Sequence, residues 1–521
     1  SFTLTSPVDD FSAVLAVTSK QECKFCLDFV SLFPVKTYKN RKNGMRSDIA
    51  EMLTDLKPKF MRFPGGCLIH DGTLNSNDRN SMYRWKNTIG AVTDRPSRRN
   101  NWRYNQSLGL GYFEYFQFCE DIGAKPLPVL PAGYNPHMEQ AVPLDEIQEW
   151  IDDALDLIEF ANGTADTKWG KIRCDMGHAE PFNLEYLAVG NEEVGQGFWD
   201  RYDLFHKAIK EKYPQIKIIN SAGPFPQGGE FERGWNNAKK NGSDLVDEHY
   251  YTSPEWMLAN CHRYDNMPSD GPKVFLGEYA SWGNTYYNAL IEAAYMTGLE
   301  NNAHAIGLVC YAPLLCNVDY INWQPDMIWF DNHRVYGSAN YYVQKMFMNC
   351  TGNNLLDVKH DGFDKPITLG SDKISGNIEI EADRCSAEFY DIKITDIATG
   401  NVKTYENLSF NNGGKAVIDS IDSNYYKVEF TAKRTAGDKG FRLFKSDDKN
   451  LIQWFIGGWQ NQDTEVNAQV NGRGSCLDHN IFSVMTGQEY KLCLEVNGRN
   501  ITTYINGKNA NTAIDKQPVM E

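Results

Sequence analysis

Two glutamates each follow a short apolar run in this sequence of 521 residues. Glu192 comes just after residues 184–190, a run too short for a helix, and Glu278 ends a second run that begins at Lys273. An α/β barrel presents its active site at the carboxyl ends of buried parallel strands. Two carboxylates at one such mouth could serve as general acid/base and nucleophile, the pair that cleavage of a glycosidic bond requires.

The residues beside the glutamates suggest how the pair would work. Asn191, which precedes the first glutamate, could bond a substrate hydroxyl. Glu278 lies between Gly277, which would leave room for a sugar, and Tyr279, whose phenol could orient the carboxylate. Strand alternation predicts that Glu193 points away from its neighbour. The alternative interpretation is structural: strand-end carboxylates also cap helices or pair with arginines.

Three more residues are predicted to reach the same mouth. His249 and Tyr251 end the apolar run before Glu278, and their spacing of two places both on one face. Arg62 precedes Pro-Gly-Gly, where paired glycines allow the backbone to approach a ligand closely. Arg62 would keep a nearby carboxylate ionised. A histidine packed in the core with its ring nitrogens satisfied remains the alternative for His249.

Strand and helix patterns alternate through the first two thirds of the chain, which predicts βα units and a parallel sheet. Helical periodicity falls at residues 44–56, 112–122, 144–161, 202–213 and 286–299. Seven strands are predicted, at residues 59–63, 126–131, 185–190, 216–220, 244–249, 273–277 and 305–311. The predicted fold class is therefore α/β, a (β/α)8 TIM-type barrel lacking one strand in this chain.

The pattern changes after residue 351. Short alternating runs separated by Gly, Asn and Asp predict an all-β jelly-roll sandwich. Trp459 in this part could be a sugar-stacking platform, and the alternative is that Trp454 and Trp459 both belong to the hydrophobic core.

Composition excludes several classes of protein. The net charge of −16 argues against nucleic acid and anionic membranes as partners. The sequence contains no run of 18 apolar residues, so no membrane span is predicted. The close cysteine pair Cys23 and Cys26 lacks the second pair that a zinc site would need, so neither a metal nor a cofactor is predicted.

Seven separated motifs resemble glycoside hydrolase family 51, in the branch of α-L-arabinofuranosidases found in plants and gut bacteria. They are MRFPGGC (61–67), YRWKNTIG (83–90), GLGYFEYFQFCED (109–121), GNE (190–192), HYY (249–251), GEYAS (277–281) and WQPD (323–326). GFRL (440–443) and QWFIGGWQ (453–460) resemble laminin-G or concanavalin-like jelly rolls, which often bind glycans.

The resemblance implies a retaining hydrolase that releases terminal non-reducing α-L-arabinofuranosyl residues. Glu192 would be the general acid/base and Glu278 the nucleophile. The implied contacts to the sugar or to the nucleophile come from Cys67, Asn191, Tyr251, Trp323 and Gln324. Two rivals stay open: another retaining barrel glycosidase, such as an endo-glucanase or xylanase, and a catalytically dead glycan-binding protein.

The expected domains are a β-sandwich remnant (1–34), the catalytic barrel (35–351), the jelly roll (352–513) and a tail (514–521). In the family, the first barrel strand carries a substrate-binding glutamate and precedes a sandwich insertion, so a chain truncated at both ends is expected. The expected partner is an arabinose-containing plant polysaccharide or oligosaccharide, and a homo-oligomer is implied. The substrate class predicts an extracellular or periplasmic location.

Overall fold

The computed structural model describes residues 3–8, 13–27, 30–42, 44–354, 356, 375–447, 450–470, 473–498 and 500–514. Its first large sheet contains seven strands, each parallel to the next in chain order. They are β1 (Phe60–Phe63), β2 (Lys125–Leu130), β3 (Tyr186–Val189), β4 (Lys217–Ser221), β5 (Leu245–Thr252), β6 (Lys273–Ser281) and β7 (Ile306–Val309). All seven predicted strands are confirmed to within a few residues, and in the described part of the chain the sheet stays open between β1 and β7.

Helices connect and cover these strands. They are α1 (Ser47–Asp55), α2 (Tyr112–Ile122), α3 (Gln148–Asn162), α4 (Lys168–Asp175), α5 (Gln196–Lys212), α6 (Gly229–Asn241), α7 (Pro254–Ala259), α8 (Tyr286–Asn301) and α9 (Ala339–Asn349). The five predicted helices all form. Sequence patterns missed α6 because it is mostly polar, with Gly234, Trp235 and Ala238 as its buried residues.

Local signals explain where α2 begins and ends. The Glu114 carboxylate accepts a hydrogen bond from the Gly111 backbone N–H at 2.9 Å, which satisfies a donor at the helix start. Gly123 ends the helix in the left-handed conformation, with φ of 73°. Tyr112 then donates its hydroxyl to the Val129 carbonyl at 2.7 Å, which attaches the helix to β2.

A small sheet follows the barrel strands. It consists of β8 (Leu315–Asn317), β9 (Ile328–Phe330) and β10 (Val335–Gly337). The connection between β8 and β9 carries Trp323 and Gln324. This connection lies between β7 and α9, ahead of the β9–β10 turn.

The described strands after residue 374 form two antiparallel sheets packed face to face, as predicted for a jelly-roll sandwich. They are β11 (Ser375–Ala382), β12 (Ser386–Asp396), β13 (Val402–Thr404), β14 (Leu408–Phe410), β15 (Gly414–Asp422), β16 (Tyr425–Ala436), β17 (Phe441–Ser446), β18 (Leu451–Gly457), β19 (Asp463–Val470), β20 (Arg473–Ile481), β21 (Glu489–Asn497), β22 (Asn500–Ile505) and β23 (Lys508–Ile514). A short helix, α10 (Gly458–Asn461), follows β18. Trp454 is fully buried between the sheets, which confirms the core interpretation for this residue, whereas the Trp459 side chain lies outside the described residues.

The amino-terminal segment differs from the prediction. The sequence predicts a β-sandwich remnant over residues 1–34, but the described residues of that range form no strand and are exposed. A strand needs a neighbour for its backbone hydrogen bonds, and in the described residues nothing pairs with this segment. No helix in the described part of the chain is both long and apolar enough to cross a bilayer.

Candidate active site

The carboxyl ends of β1, β3, β5 and β6 bring the two predicted glutamates together. Glu192 follows β3 and Glu278 lies on β6, and a carboxylate oxygen of one is within 4.8 Å of a carboxylate oxygen of the other. Retaining glycosidases hold their two carboxyl groups about 5–5.5 Å apart, whereas inverting enzymes need about 6.5–9.5 Å to admit a water. A separation of at most 4.8 Å between the nearest oxygens is compatible with the shorter of these two ranges.

A tight turn after β3 aims Glu192 at its partner. Gly190 and Glu192 adopt positive φ angles of 86° and 59°, so the chain reverses direction directly after Val189. A Cβ at Gly190 would lie 2.4 Å from a carboxylate oxygen of Glu193, which packs beneath the turn and is fully buried. Burial raises the pKa of Glu193 well above its usual value, which favours the neutral carboxyl. Glu193 does lie apart from Glu192 and Glu278, but the turn after β3, and not the alternation of a strand, is the cause.

Both oxygens of Glu278 accept hydrogen bonds. Arg62 Nη1 donates to Oε1 at 2.9 Å, and the Tyr251 hydroxyl donates to Oε2 at 2.8 Å. Burial alone would raise the pKa of Glu278, but the positive charges of His249 and Arg62 outweigh it and hold the pKa below its usual value. Glu278 is therefore an ionised, oriented carboxylate, which is the state that a nucleophile requires.

The roles predicted for the neighbours of Glu278 are wrong. The Tyr279 hydroxyl lies in the interior and accepts a hydrogen bond from Gln344 Nε2 at 2.9 Å, so Tyr251 is the phenol that orients the carboxylate. Gly277 makes room for a protein group instead of a sugar, because a Cβ there would lie 2.0 Å from an oxygen of Asp247. Successive strand residues point to opposite faces, which is why Tyr279 could not share the face of Glu278.

Asp247 is a site residue that sequence reasoning missed. Its Oδ2 lies 3.1 Å from His249 Nε2 and 3.7 Å from an Arg62 guanidinium nitrogen. The other ring nitrogen of His249, Nδ1, lies 3.1 Å from Glu192 Oε1. Burial lowers the pKa of His249, but Asp247 and Glu278 outweigh that effect and raise the pKa to about 10. The signal for Asp247 was its spacing of two from His249 along β5, which puts both on one face.

Asn191 is held inside the site. Its Oδ1 accepts a hydrogen bond from Arg62 Nη2 at 2.5 Å, and the residue is fully buried. None of the described residues accepts a hydrogen bond from its Nδ2. Arg62 thus links Glu278 to the turn that carries Glu192, and a contact between Asn191 and a substrate stays a prediction.

The rim of the site contains the remaining predicted residues. Cys67 Sγ lies 3.7 Å from Glu192 Oε2, and burial together with that carboxylate raises the pKa of the thiol to about 12. The Trp323 ring lies 5.2 Å from the rings of both Tyr251 and Trp282, which places it beside the site, and its role as a wall of the substrate pocket stays a prediction. Trp282, directly after β6, was not predicted.

Gln324 is exposed beside Trp323, and no hydrogen bond of its side chain to a described residue is formed. Its predicted contact with the sugar therefore remains a prediction.

Among the described residues, two groups of side chains have the spacing of metal ligands. Glu192, His249 and Glu278 form one group, and Cys67, His70 and His137 form the other. In the first group His249 is already paired with Asp247, so its donors serve an internal ion-pair cluster.

Comparison with known proteins agrees with this geometry. The sequence model of the α-L-arabinofuranosidase 1 domain matches residues 52–269, and that of the α-L-arabinofuranosidase C-terminal domain matches residues 277–493. The extracellular exo-α-L-arabinofuranosidase of Streptomyces chartreusis is 40% identical over 528 residues, which cover 94% of this chain. A solved structure titled as an arabinose-bound family 51 α-L-arabinofuranosidase is similar with a TM-score of 0.57 and 27% identity. The chain belongs to glycoside hydrolase family 51.

The family 51 relatives are longer than this chain. The chain spans 64% of the Streptomyces enzyme and covers 50% of α-L-arabinofuranosidase 1 of Arabidopsis thaliana, to which it is 38% identical over 362 residues. The family 51 structure is matched over 77% of this chain and 68% of its own length. The Arabidopsis match covers 68% of this chain and the Streptomyces match 94%.

Proposed function

We propose that this chain is the catalytic part of a retaining exo-α-L-arabinofuranosidase, with Glu278 as nucleophile and Glu192 as general acid/base. The observation that carries the proposal is the separation of at most 4.8 Å between carboxylate oxygens of these two residues at one barrel rim. The arabinofuranosyl group is inferred as the substrate from membership of family 51 and from the names of the relatives.

In the first step Glu278 attacks the anomeric carbon of a terminal arabinofuranosyl residue. The bond to the leaving oxygen breaks as Glu192 donates its proton to that oxygen, and a covalent glycosyl-enzyme ester forms. Arg62 and Tyr251 hold the two Glu278 oxygens, so the carboxylate is aligned before substrate arrives.

In the second step water hydrolyses the ester. Glu192, now a carboxylate, takes a proton from the water as it attacks the anomeric carbon, and Glu278 leaves as a carboxylate. The His249 imidazolium donates from Nδ1 to Glu192 Oε1, so it stabilises the charge that Glu192 carries between the two steps. Two displacements at one carbon release arabinose with retained configuration.

The proposed substrate is an arabinose-containing polysaccharide or oligosaccharide. Trp323 and Trp282, which expose 41% and 46% of their surfaces, would contact the sugar that follows the scissile bond. An extracellular location is proposed because the Streptomyces relative is named extracellular. We also propose the barrel at 35–351 and the jelly roll at 352–513 as separate domains.

The purified 521-residue protein tests the proposal on a panel of aryl glycosides. We expect hydrolysis of the aryl α-L-arabinofuranoside, with α-L-arabinofuranose as the first product by NMR. Cleavage of the β-xyloside or β-glucoside alone would instead assign a different retaining glycosidase. Binding of arabinan without any product would assign a non-catalytic glycan-binding protein.

Variants separate the two carboxylate roles. Glu278→Ala should lower kcat by several orders of magnitude, because covalent catalysis is lost. Glu192→Ala should retain more activity on aryl substrates with good leaving groups than on natural oligosaccharides. Added azide should restore activity to this variant. Glu185→Gln is the matched control, since Glu185 is half-buried away from the site and pairs with Lys125. If Glu278→Ala retained half of the wild-type activity, the assignment of Glu278 as nucleophile would be refuted.

A further inference from the structure

A second cluster of chemically reactive side chains borders the catalytic pair. Cys67 and His70 lie on one helical turn after β1, where the Asp71 backbone N–H donates to the Cys67 carbonyl at 3.0 Å. A spacing of three on such a turn places both side chains on one face. His137 approaches from another loop, and donor atoms of Cys67, His70 and His137 all lie within 4.8 Å of one another. We propose that these three residues form a binding site for a soft divalent cation of the Zn²⁺ type.

His70 is the strongest indication that this cluster binds a ligand. The residue is 1% exposed, and at most one ring nitrogen is satisfied, by the Asn191 backbone, whereas the other has no hydrogen-bond partner among the described residues. A buried polar group without a partner costs free energy, so its persistence points to a ligand that completes the site. The imidazole also packs edge-on against the His137 ring, with 4.8 Å between the ring centroids.

The surroundings hold the ligands in place. Asn135, which lies two residues before His137, is fully buried and donates from Nδ2 to the Gly72 carbonyl at 3.2 Å. This bond attaches the loop of His137 to the loop of Cys67 and His70. Glu193 Oε1 lies 3.9 Å from His70 Nδ1, which is longer than a hydrogen bond but places a carboxyl group on that side of the ring. A carboxyl group beside Nδ1 leaves Nε2 as the ligating nitrogen.

One thiol and two imidazoles are the donor set that Zn²⁺ prefers. Tetrahedral zinc with Zn–S of about 2.3 Å and Zn–N of about 2.0–2.1 Å separates its ligand atoms by about 3.3–3.6 Å, so small side-chain rotations suffice. Binding replaces the thiol proton of Cys67, which leaves to solvent, and forms a metal–thiolate bond. Glu192 is not one of the three residues whose donor atoms converge, but its Oε2 lies 3.7 Å from Cys67 Sγ, so a rotation of its side chain would make it the fourth ligand.

Coordination by Glu192 has a functional consequence that rests on the proposed function. A metal-bound carboxylate cannot carry a proton to the leaving oxygen. The cation would therefore inhibit hydrolysis at the first step, and chelation would restore activity. Metal binding itself does not depend on the substrate assignment.

Calorimetric titration of untagged protein with Zn²⁺ alone tests the site. A Cys23→Ser/Cys26→Ser background removes the exposed cysteine pair. We expect one equivalent to bind, with affinity at least about 10-fold weaker in His137→Gln. His262→Gln is the matched control, because His262 is exposed and contacts Asp265 away from the cluster. Equal affinity in the background protein and in His137→Gln would overturn the proposal.

Co²⁺ substitution gives a second readout that needs no activity. The cobalt protein should show a thiolate-to-metal charge-transfer band, and Cys67→Ser should abolish that band. Zn²⁺ should inhibit arabinofuranoside hydrolysis in the background protein, and His137→Gln should shift the inhibition to at least about 10-fold higher Zn²⁺. A cobalt spectrum without the thiolate band would overturn the site, whereas an inactive protein that binds Zn²⁺ through these residues would overturn only the proposed function.

Discussion

At the scale of single residues, the site is a cluster of opposite charges taken out of water. Arg62 and His249 supply two positive charges, and the carboxylates of Asp247 and Glu278 face them. Burial lowers the pKa of Arg62, but Glu278 and Asp247 outweigh it and raise the pKa above its usual value. A cluster of this kind fixes the ionisation of each member, since removing one partner leaves a buried charge uncompensated.

Tyr251→Phe isolates one contact of the nucleophile. It removes the 2.8 Å hydrogen bond to Glu278 Oε2, and a bond to a charged group contributes about 1.5–3 kcal/mol, so kcat/KM should fall about 10- to 100-fold. The measurement is steady-state hydrolysis of the aryl α-L-arabinofuranoside together with a thermal melt.

Tyr250→Phe is the control for that variant. Tyr250 points to the opposite face of β5 and shares hydrogen bonds with Tyr264 and Tyr295 in the interior. Loss of the Tyr250 hydroxyl should lower Tm, since an ordinary buried hydrogen bond contributes about 1 kcal/mol to stability. It should leave kcat/KM within about twofold of the wild-type value. Equal effects of both variants on kcat/KM would contradict the role of Tyr251.

The raised pKa of His249 predicts how stability depends on pH. The folded-state pKa of about 10 lies above the ordinary value of 6.5, so the contribution is complete below pH 6.5 and is lost as pH rises through about 10. Across that window the folded state binds more protons, so the free energy of unfolding should fall, by at most about 1.4 kcal/mol per pH unit for one group.

Urea unfolding between pH 6 and 10 checks this prediction. The difference in unfolding free energy between wild type and His249→Asn should shrink with rising pH, whereas His262→Gln should parallel wild type. NMR of the histidine ring nitrogens follows the imidazolium directly in wild type. A ring that loses its proton near pH 6.5 would contradict the prediction.

At the scale of elements, the pairing of β5 with β6 positions the nucleophile. The register shifts between Leu276 and Glu278, which brings Glu278 opposite His249 and leaves Gly277 outside the regular pairing. Such bulges redirect side chains beside active sites. Gly277 is required here because Asp247 occupies the space that a Cβ would take.

Gly277→Ala should therefore damage both stability and catalysis. The new methyl group would displace the Asp247 carboxylate, and overpacking of a tight interior costs about 1–3 kcal/mol. We expect a lower Tm and a lower kcat, measured by calorimetry and aryl arabinofuranoside hydrolysis. Gly352→Ala is the matched control, because the nearest atom to its Cβ is 3.8 Å away. An unchanged kcat in Gly277→Ala would contradict the role of the bulge.

At the scale of the whole molecule, the barrel and the sandwich have separate cores. The sandwich core is formed by residues of β11–β23 and their connections, with Trp454 at its centre. The barrel core contains Phe116 and other residues before the sandwich. The two parts touch at α7 and β20, and Gln227 Nε2 donates to Cys476 Sγ at 3.0 Å.

Separate cores predict two thermal transitions. Residues 375–514 expressed alone should unfold cooperatively, because their core needs no barrel residue. In the full chain, Trp454→Ala should lower the free energy of unfolding of the sandwich by about 3–5 kcal/mol and leave kcat unchanged. Phe116→Ala should instead destabilise the barrel, so each variant should shift a different calorimetric transition. A single transition shifted equally by both variants would contradict separate domains.

Strand-end carboxylates and βα alternation were sufficient to predict the barrel strands, both glutamates, Arg62, His249 and Tyr251. The reason is that the buried parallel strands leave a continuous apolar signature, and their carboxyl ends must meet at one rim. The jelly roll was predictable for a similar reason, because alternation with turn residues reports a half-buried strand.

Only the tertiary structure decided the partners of each side chain. That Gly277 makes room for Asp247, that Tyr251 rather than Tyr279 orients Glu278, and that Cys67, His70 and His137 converge all depend on contacts between residues distant in the chain. Local periodicity fixes which face a residue occupies. It carries no information about which neighbour lies across the sheet, because register, bulges and loop packing arise from the assembled fold.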